Sequence, residues 1–120
     1  MRLFKFLFGY KKTEFLKEDL IGNWEALKLN GEPISKHGFA YIRMHISIDS
    51  ISISTGMNIF DGITTESIGT WKLSGKVFQS EIGESIRESK FEIREDNLTF
   101  EPDPLFKVDT VFKSEYRRIK

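Results

Sequence analysis

The feature that most constrains the fold of this chain is a strict alternation of apolar and polar residues over positions 42–48, which read Ile-Arg-Met-His-Ile-Ser-Ile. A period of two puts every apolar side chain on one face of a β-strand. The phase slips at Asp49-Ser50, because Ile51 and Ile53 then carry the apolar face. A slip of one residue turns every side chain over, so a tight turn or a bulge is predicted there.

Similar patterns recur along the chain and predict eight strands separated by short turns such as Asn30-Gly31 and Ser74-Gly75. The predicted strands cover about residues 20–29, 42–48, 51–55, 65–73, 76–81, 86–94, 98–100 and 109–119. Closing such a meander removes its exposed edges, so an all-β, eight-stranded antiparallel up-and-down barrel is preferred over a sandwich. Thr13 is a suitable N-cap for one short helix before the first strand, from Thr13 to about Asp19.

The length of 120 residues fits one domain, with residues 1–18 as a basic, aromatic arm that includes the helix and residues 19–120 as the barrel. Eighteen basic residues balance eighteen acidic ones, so no net charge favours nucleic acid. The chain has no cysteine, which excludes disulfides, thiol catalysis and cysteine-based metal sites. The first apolar run is short and interrupted by Lys5, so a retained N-terminus and a cytoplasmic location are expected.

The tripeptide Gly-Asn-Trp at residues 22–24, after a short helix, resembles the Gly-x-Trp motif of lipocalins. Two later segments resemble those of short bacterial lipocalin-like domains: Gly-Thr-Trp-Lys-Leu at 69–73 and Tyr-Arg-Arg-Ile at 116–119. The resemblance implies a calycin barrel in which Gly22 and Trp24 are structural and Trp24 plugs one end. It also implies that Arg118, or Arg117 in another register, stacks on the Trp24 ring. A barrel of this kind holds one small apolar or amphipathic ligand, unless its own side chains fill it.

The last predicted strand carries a mixed face of Phe112, Ser114, Tyr116 and Arg118. Fatty-acid-binding proteins, a neighbouring family, end in Arg-x-Tyr and bind a carboxylate there, whereas this chain has the reverse order. Residues two apart share a face of a strand, so Tyr116 and Arg118 are candidates for binding one carboxylate. The candidate ligand-binding residues on the predicted interior are Met44, Trp71, Phe91, Phe112, Tyr116 and Arg118. The large inward residues Met44, Ile46, Ile48, Phe91 and Phe112 favour the alternative of a filled core.

Catalytic and metal-binding patterns are absent from the sequence. His37 and His45 are eight residues apart, which is not the spacing of a metal-ligand pair. The hydroxyl-rich stretch from Ser47 to Thr55 has no base placed to activate a nucleophile. We therefore predict a protein that is not an enzyme and needs no cofactor or metal.

Charge is uneven along the chain. The arm at residues 1–12 is basic and aromatic, but a single arm of this kind binds a membrane surface weakly and no membrane contact is expected. The region 81–109 is rich in acid, and Glu92, Glu95 and Asp96 are candidates for contacting a basic protein partner. Two functions therefore remain open: a small-ligand binding domain, or a protein-interaction module such as a small inhibitor or immunity protein.

Overall fold

In a computed structural model, which describes residues 17–57, 64–106 and 111–119, the chain forms one short helix and a continuous series of β-strands. The helix α1 covers Lys17–Leu20 and a 3₁₀ turn covers Ile34–His37. The strands are β1 (Gly22–Leu29), β2 (Glu32–Pro33), β3 (Phe39–Ile46), β4 (Ser50–Met57), β5 (Thr64–Ser74), β6 (Val77–Ile82), β7 (Ser85–Arg94), β8 (Asn97–Glu101) and β9 (Ser114–Ile119).

The strands close into an antiparallel barrel. From β3 to β9 each strand pairs with the next, and β1 pairs with both β3 and β9. The two-residue strand β2 pairs only with the end of β1 and lies outside this ring. The prediction of an eight-stranded up-and-down barrel is therefore confirmed, with β2 as one extra strand.

The barrel has two different ends. The helix end carries α1 and the turns at residues 47–49, 75–76 and 95–96. The loop end carries the turns at residues 30–31 and 83–84 and the connections that follow Met57 and Glu101. The predicted phase slip at Asp49-Ser50 lies at the tight turn between β3 and β4, and the Ser47 and Ser50 backbones pair across it.

The apolar core lines the inside of the ring and includes Trp24, Met44 and Phe100, all at most 1% exposed. Two residues that were predicted to face inward are on the surface. Ile48 is 65% exposed because it lies in the turn after β3, where strand alternation no longer applies. Phe112 is 61% exposed because β9 begins only at Ser114, so the inward face of that strand does not extend back to it.

The other boundaries differ by a few residues. Within the described residues the helix ends at Leu20 rather than Asp19, while its predicted start at Thr13 and the basic arm lie outside them. Strand β8 ends at Glu101, and the proline-containing segment after it stays out of the ladder, as expected for residues without an N–H to donate. No helix in the described ranges has both the length and the apolar character needed to cross a membrane.

Candidate functional site

At the helix end, Trp24 and Arg118 form a closed and fully partnered plug. The Trp24 side chain is completely buried, and its indole Nε1 donates a hydrogen bond to the Leu20 carbonyl at 2.9 Å. The Arg118 guanidinium carbon lies 4.2 Å from the centre of the Trp24 ring. Its Nη1 and Nη2 donate to the carbonyls of Ile21 and Asp19 at 3.0 and 2.8 Å. This is the arrangement that the lipocalin resemblance implies.

Gly22 allows this plug to form. Its φ of +143° is a backbone conformation that side-chain-bearing residues rarely adopt, and a Cβ there would lie 2.7 Å from Arg118 Nη1. Arg118 can therefore lie over the start of β1 only because position 22 has no side chain. Both residues of the motif therefore serve Arg118: Gly22 leaves room for its guanidinium, and Trp24 provides the ring on which it stacks.

Tyr116, the second half of the predicted carboxylate clamp, is bound within the protein itself. Its hydroxyl donates to Asp103 Oδ2 at 2.9 Å, and both side chains are fully buried. The backbone N–H groups of Leu105 and Phe106 donate to Asp103 Oδ1 at 2.7 and 3.1 Å. This cluster holds the segment after β8 against the loop end. Since Tyr116 and Arg118 both have internal partners, they do not form an open carboxylate site.

The Asp103 carboxyl is deeply desolvated. Burial raises its pKa above the ordinary value, and hydrogen bonds from Leu105, Phe106 and Tyr116 oppose that rise. Burial also raises the pKa of the Tyr116 phenol well above its ordinary value, and the negative charge of Asp103 adds to the effect. Tyr116 therefore remains a neutral hydrogen-bond donor to this carboxylate.

A second polar group inside the barrel has no such partners. Ser80 of β6 and Ser89 of β7 are each 1% exposed. Their hydroxyl oxygens and Arg87 Nη1 are buried without a hydrogen-bond partner. Ser80 lies directly opposite Arg87 in the β6–β7 ladder, and Ser89 is two positions further along the same face of β7. We call Ser80, Arg87 and Ser89 the interior polar triad.

Aromatic residues border the triad. Trp71 lies opposite Ser80 in the β5–β6 ladder, and Phe78 lies opposite Ser89. The rings of Trp71 and Phe78 are stacked with centroids 5.4 Å apart. Phe91 follows Ser89 on the same face and is 9% exposed. Two predicted ligand contacts, Trp71 and Phe91, thus lie beside the triad.

The other predicted ligand contacts lie elsewhere. Met44 is paired with Trp24 in the β1–β3 ladder and belongs to the core near the helix-end plug. Phe112 is on the surface, where its N–H donates to the Asn30 side chain at 2.9 Å. The structure therefore divides the predicted ligand-binding residues among three places and removes Phe112 from the interior. Trp71 and Phe91 lie beside the triad, Met44 and Arg118 lie at the plug, and Tyr116 lies in the Asp103 cluster.

Sequence inspection missed the triad, although a signal was present. Phe91 and Ile93 define the inward face of β7 in the sequence. Because side chains two residues apart share a face of a strand, Ser89 and Arg87 are predicted to face inward as well. A polar run on an inward face is unusual, because buried polar groups need hydrogen-bond partners. Whether those partners exist inside the barrel depends on residues distant in sequence, and only the structure shows it.

The predicted acidic surface lies at the β7–β8 turn of the helix end. Glu92 forms an ion pair with Arg94 at 3.5 Å, and Asp96 lies 3.9 Å from Arg118 Nε. Glu95 occupies the turn itself with a positive φ of 56°. Two of the three acids thus face basic residues of the same chain.

Both histidines hydrogen-bond to other groups of the chain. His45 Nδ1 hydrogen-bonds the Asn23 side chain at 2.7 Å, and His37 Nε2 lies 3.1 Å from the Leu29 carbonyl oxygen. Within the part of the chain that the structure describes, no group of three or more histidine or acidic side chains is arranged to hold a metal ion.

In comparisons with known proteins, no family model, curated protein or solved structure matches this chain. The lipocalin-like assignment therefore stays a prediction, and the function has to be argued from the geometry of the site.

Proposed function

We propose that this protein is a non-enzymatic binding domain that holds one small amphipathic molecule inside its barrel, against the interior polar triad. The observation that carries the proposal is the set of buried donors without partners at Ser80, Arg87 and Ser89. Leaving a buried polar group without a hydrogen bond costs about 1–3 kcal/mol, and more for a charged group. A bound molecule with polar acceptors would remove this cost.

The surroundings favour an amphipathic guest over a purely polar one. The triad is bordered by Trp71, Phe78 and Phe91, which offer apolar ring surface beside the donors. Ligand sites in proteins typically combine such an apolar lining with a few placed polar groups. We place the guest on the side of the barrel formed by β5 to β7, because the triad and its bordering rings lie there.

The first test is native mass spectrometry of the protein purified from its own host, compared with a denatured sample. We expect a discrete extra mass that disappears on denaturation. A bare polypeptide mass from the host, together with no binding of any amphipathic probe, would contradict the proposal.

Paired serine variants provide a matched comparison. The double substitution Ser80→Ala and Ser89→Ala should reduce the fraction of protein that carries the extra mass. The control is Ser52→Ala with Ser54→Ala on β4, whose side chains lie on the outer face of the barrel. Equal occupancy in both double variants would place the guest away from the triad.

A further inference from the structure

We infer that the guest is a monocarboxylate and that Arg87 binds its carboxylate, with the hydroxyls of Ser80 and Ser89 as additional donors. This inference rests on the proposed binding function and specifies the chemical class of the ligand. It is argued from the charge of Arg87, from the geometry of the triad and from the end of the β7–β8 ladder.

Arg87 carries a charge that the described protein does not balance. No described carboxylate forms an ion pair with it, and its Nη1 is buried. The buried acid Asp103 is already bound to Tyr116 and to two backbone N–H groups. The Arg87 side chain is half-buried, with its Nη1 shielded from solvent. A guanidinium cannot lose its proton at ordinary pH, so an anion is the partner that would best compensate its charge at this buried nitrogen.

The geometry suits a planar anion with two oxygens. Residues directly opposite each other in an antiparallel ladder have Cβ atoms about 4.5–5.5 Å apart. Ser80 and Arg87 are such a pair, and Ser89 adjoins them on the same face. One carboxylate placed between these strands can receive hydrogen bonds from the guanidinium fork and from a hydroxyl on either side.

The amount of positive charge favours a monoanion over a phosphate. Arg87 is the one charged side chain on the inward faces of β5, β6 and β7 in the described part of the chain. The lysines of these strands, Lys72 and Lys90, are exposed. A phosphate monoester carries between one and two negative charges near neutral pH, which a single arginine compensates less well.

Arg87 lies in a part of β7 that has a described strand partner on one side only. The β7–β8 ladder stops at the pair Lys90–Glu101, so residues 85–89 are paired with β6 and have no strand partner among the described residues on their other side. Arg87 lies in the middle of this segment. We therefore place the entry of the carboxylate on this side of the loop end, away from the Trp24 plug.

The test is a calorimetric titration of the full-length protein with four six-carbon probes: hexanoate, hexanamide, hexan-1-ol and hexyl phosphate. We expect hexanoate to bind about 10- to 100-fold more tightly than the amide and the alcohol, since a hydrogen-bonded charge pair contributes that much. Hexyl phosphate should bind more weakly than hexanoate.

Three variants locate the effect. Arg87→Gln should bring the hexanoate affinity down to that of the amide, and Arg87→Lys should retain part of the preference. The control Arg94→Gln lies on the same strand, with its side chain 68% exposed, and should change nothing. Thermal unfolding of each variant without ligand shows whether it is folded, and we expect Arg87→Gln to be at least as stable as the wild type.

The outcomes separate the two proposals. If hexanoate and hexanamide bind equally well and Arg87→Gln changes neither, the monocarboxylate inference is wrong and the binding function stands. The same holds if the compound released from the host-purified protein has no acidic group, or if hexyl phosphate binds most tightly. If no compound is released and no probe binds, the binding function itself is wrong.

Discussion

The two inward-facing arginines of this barrel have the same chemistry and opposite surroundings. Arg118 at the helix end lies on the Trp24 ring and donates to two backbone carbonyls. Arg87 on β7 has a buried nitrogen without any hydrogen-bond partner. A partnered internal arginine is part of the structure, whereas an unpartnered one destabilises the empty fold. This difference is why we assign Arg118 to the stability of the barrel and propose Arg87 for binding.

The largest effect is expected where the helix-end plug is removed altogether. Trp24→Ala should lower the free energy of unfolding by about 3–5 kcal/mol, because it deletes a fully buried indole and leaves a cavity. Urea denaturation followed by circular dichroism measures this loss. Phe112→Ala is the control, since its side chain is 61% exposed and should contribute under about 0.5 kcal/mol. A loss at Trp24 no larger than that of the control would mean that the plug is not part of the stable core.

Replacing each arginine by methionine tests the comparison directly. Arg118→Met removes the stacking on Trp24 and the hydrogen bonds to Ile21 and Asp19, and should cost roughly 2–4 kcal/mol. Arg87→Met removes a charge without a partner, and the ligand-free protein should be as stable as the wild type or more so. Urea denaturation of the two variants and the wild type, without ligand, measures the change in the free energy of unfolding. Equal losses in both would show that Arg87 is a structural residue like Arg118.

A smaller effect is expected at Gly22, which gives Arg118 its space. Gly22→Ala places a methyl group 2.7 Å from Arg118 Nη1 on a backbone with φ of +143°, and should cost about 1–3 kcal/mol. If the cost arises from the contact with Arg118, it should shrink in the double variant Gly22→Ala with Arg118→Met, as a double-mutant cycle measures. Strict additivity of the two losses would assign the effect to the backbone alone.

The smallest expected effect on the free energy of unfolding concerns Asp103. Its buried carboxyl at the loop end has hydrogen-bond partners, unlike Arg87 Nη1. Because burial raises its pKa in the folded state, the folded protein holds the proton more tightly than the unfolded chain does. The stabilisation from this group is complete below the unfolded pKa and is lost as the pH rises through the raised folded pKa.

Asp103→Asn keeps an oxygen that accepts from Leu105 and Phe106 but does not titrate. The stability of the wild type relative to this variant should therefore fall as the pH rises upward from about 4, the unfolded value. Urea melts of both proteins at a series of pH values measure the difference. A difference that rises with pH would reverse the assigned direction of the shift.

The barrel was predictable because its signal is local. The alternation at residues 42–46 predicts a strand with Ile42, Met44 and Ile46 inside, and all three are at most 1% exposed. Alternation fails where a strand ends, which is why Ile48 and Phe112 were placed on the wrong side. The position of a strand end depends on contacts such as those of Asn30 with the Phe112 backbone, which are 82 residues apart.

The site was less predictable than the fold for a related reason. The alternation of residues along β7 and β9 predicts that Arg87 and Arg118 both face inward. The neighbouring residues in the sequence do not show which of the two has partners. The distinction arises from groups brought close by barrel closure: the Trp24 ring beside Arg118, and no counter-charge from the described residues beside Arg87. A polar residue on an inward strand face is therefore a reason to look for partners, and only the structure tells whether they are present.

The early end of the β7–β8 ladder also bears on whether two copies of the protein can pair through their strands. On the side away from β6, residues 85–89 have no strand partner among the described residues, and a free strand edge is a place where a strand from another molecule can add. This edge is only five residues long and carries the exposed Glu88, with Glu84 in the adjoining turn. Short length and like charges disfavour the approach of a second copy, because two such edges would repel each other. The exposed carboxylates beside this short edge thereby disfavour edge-to-edge association.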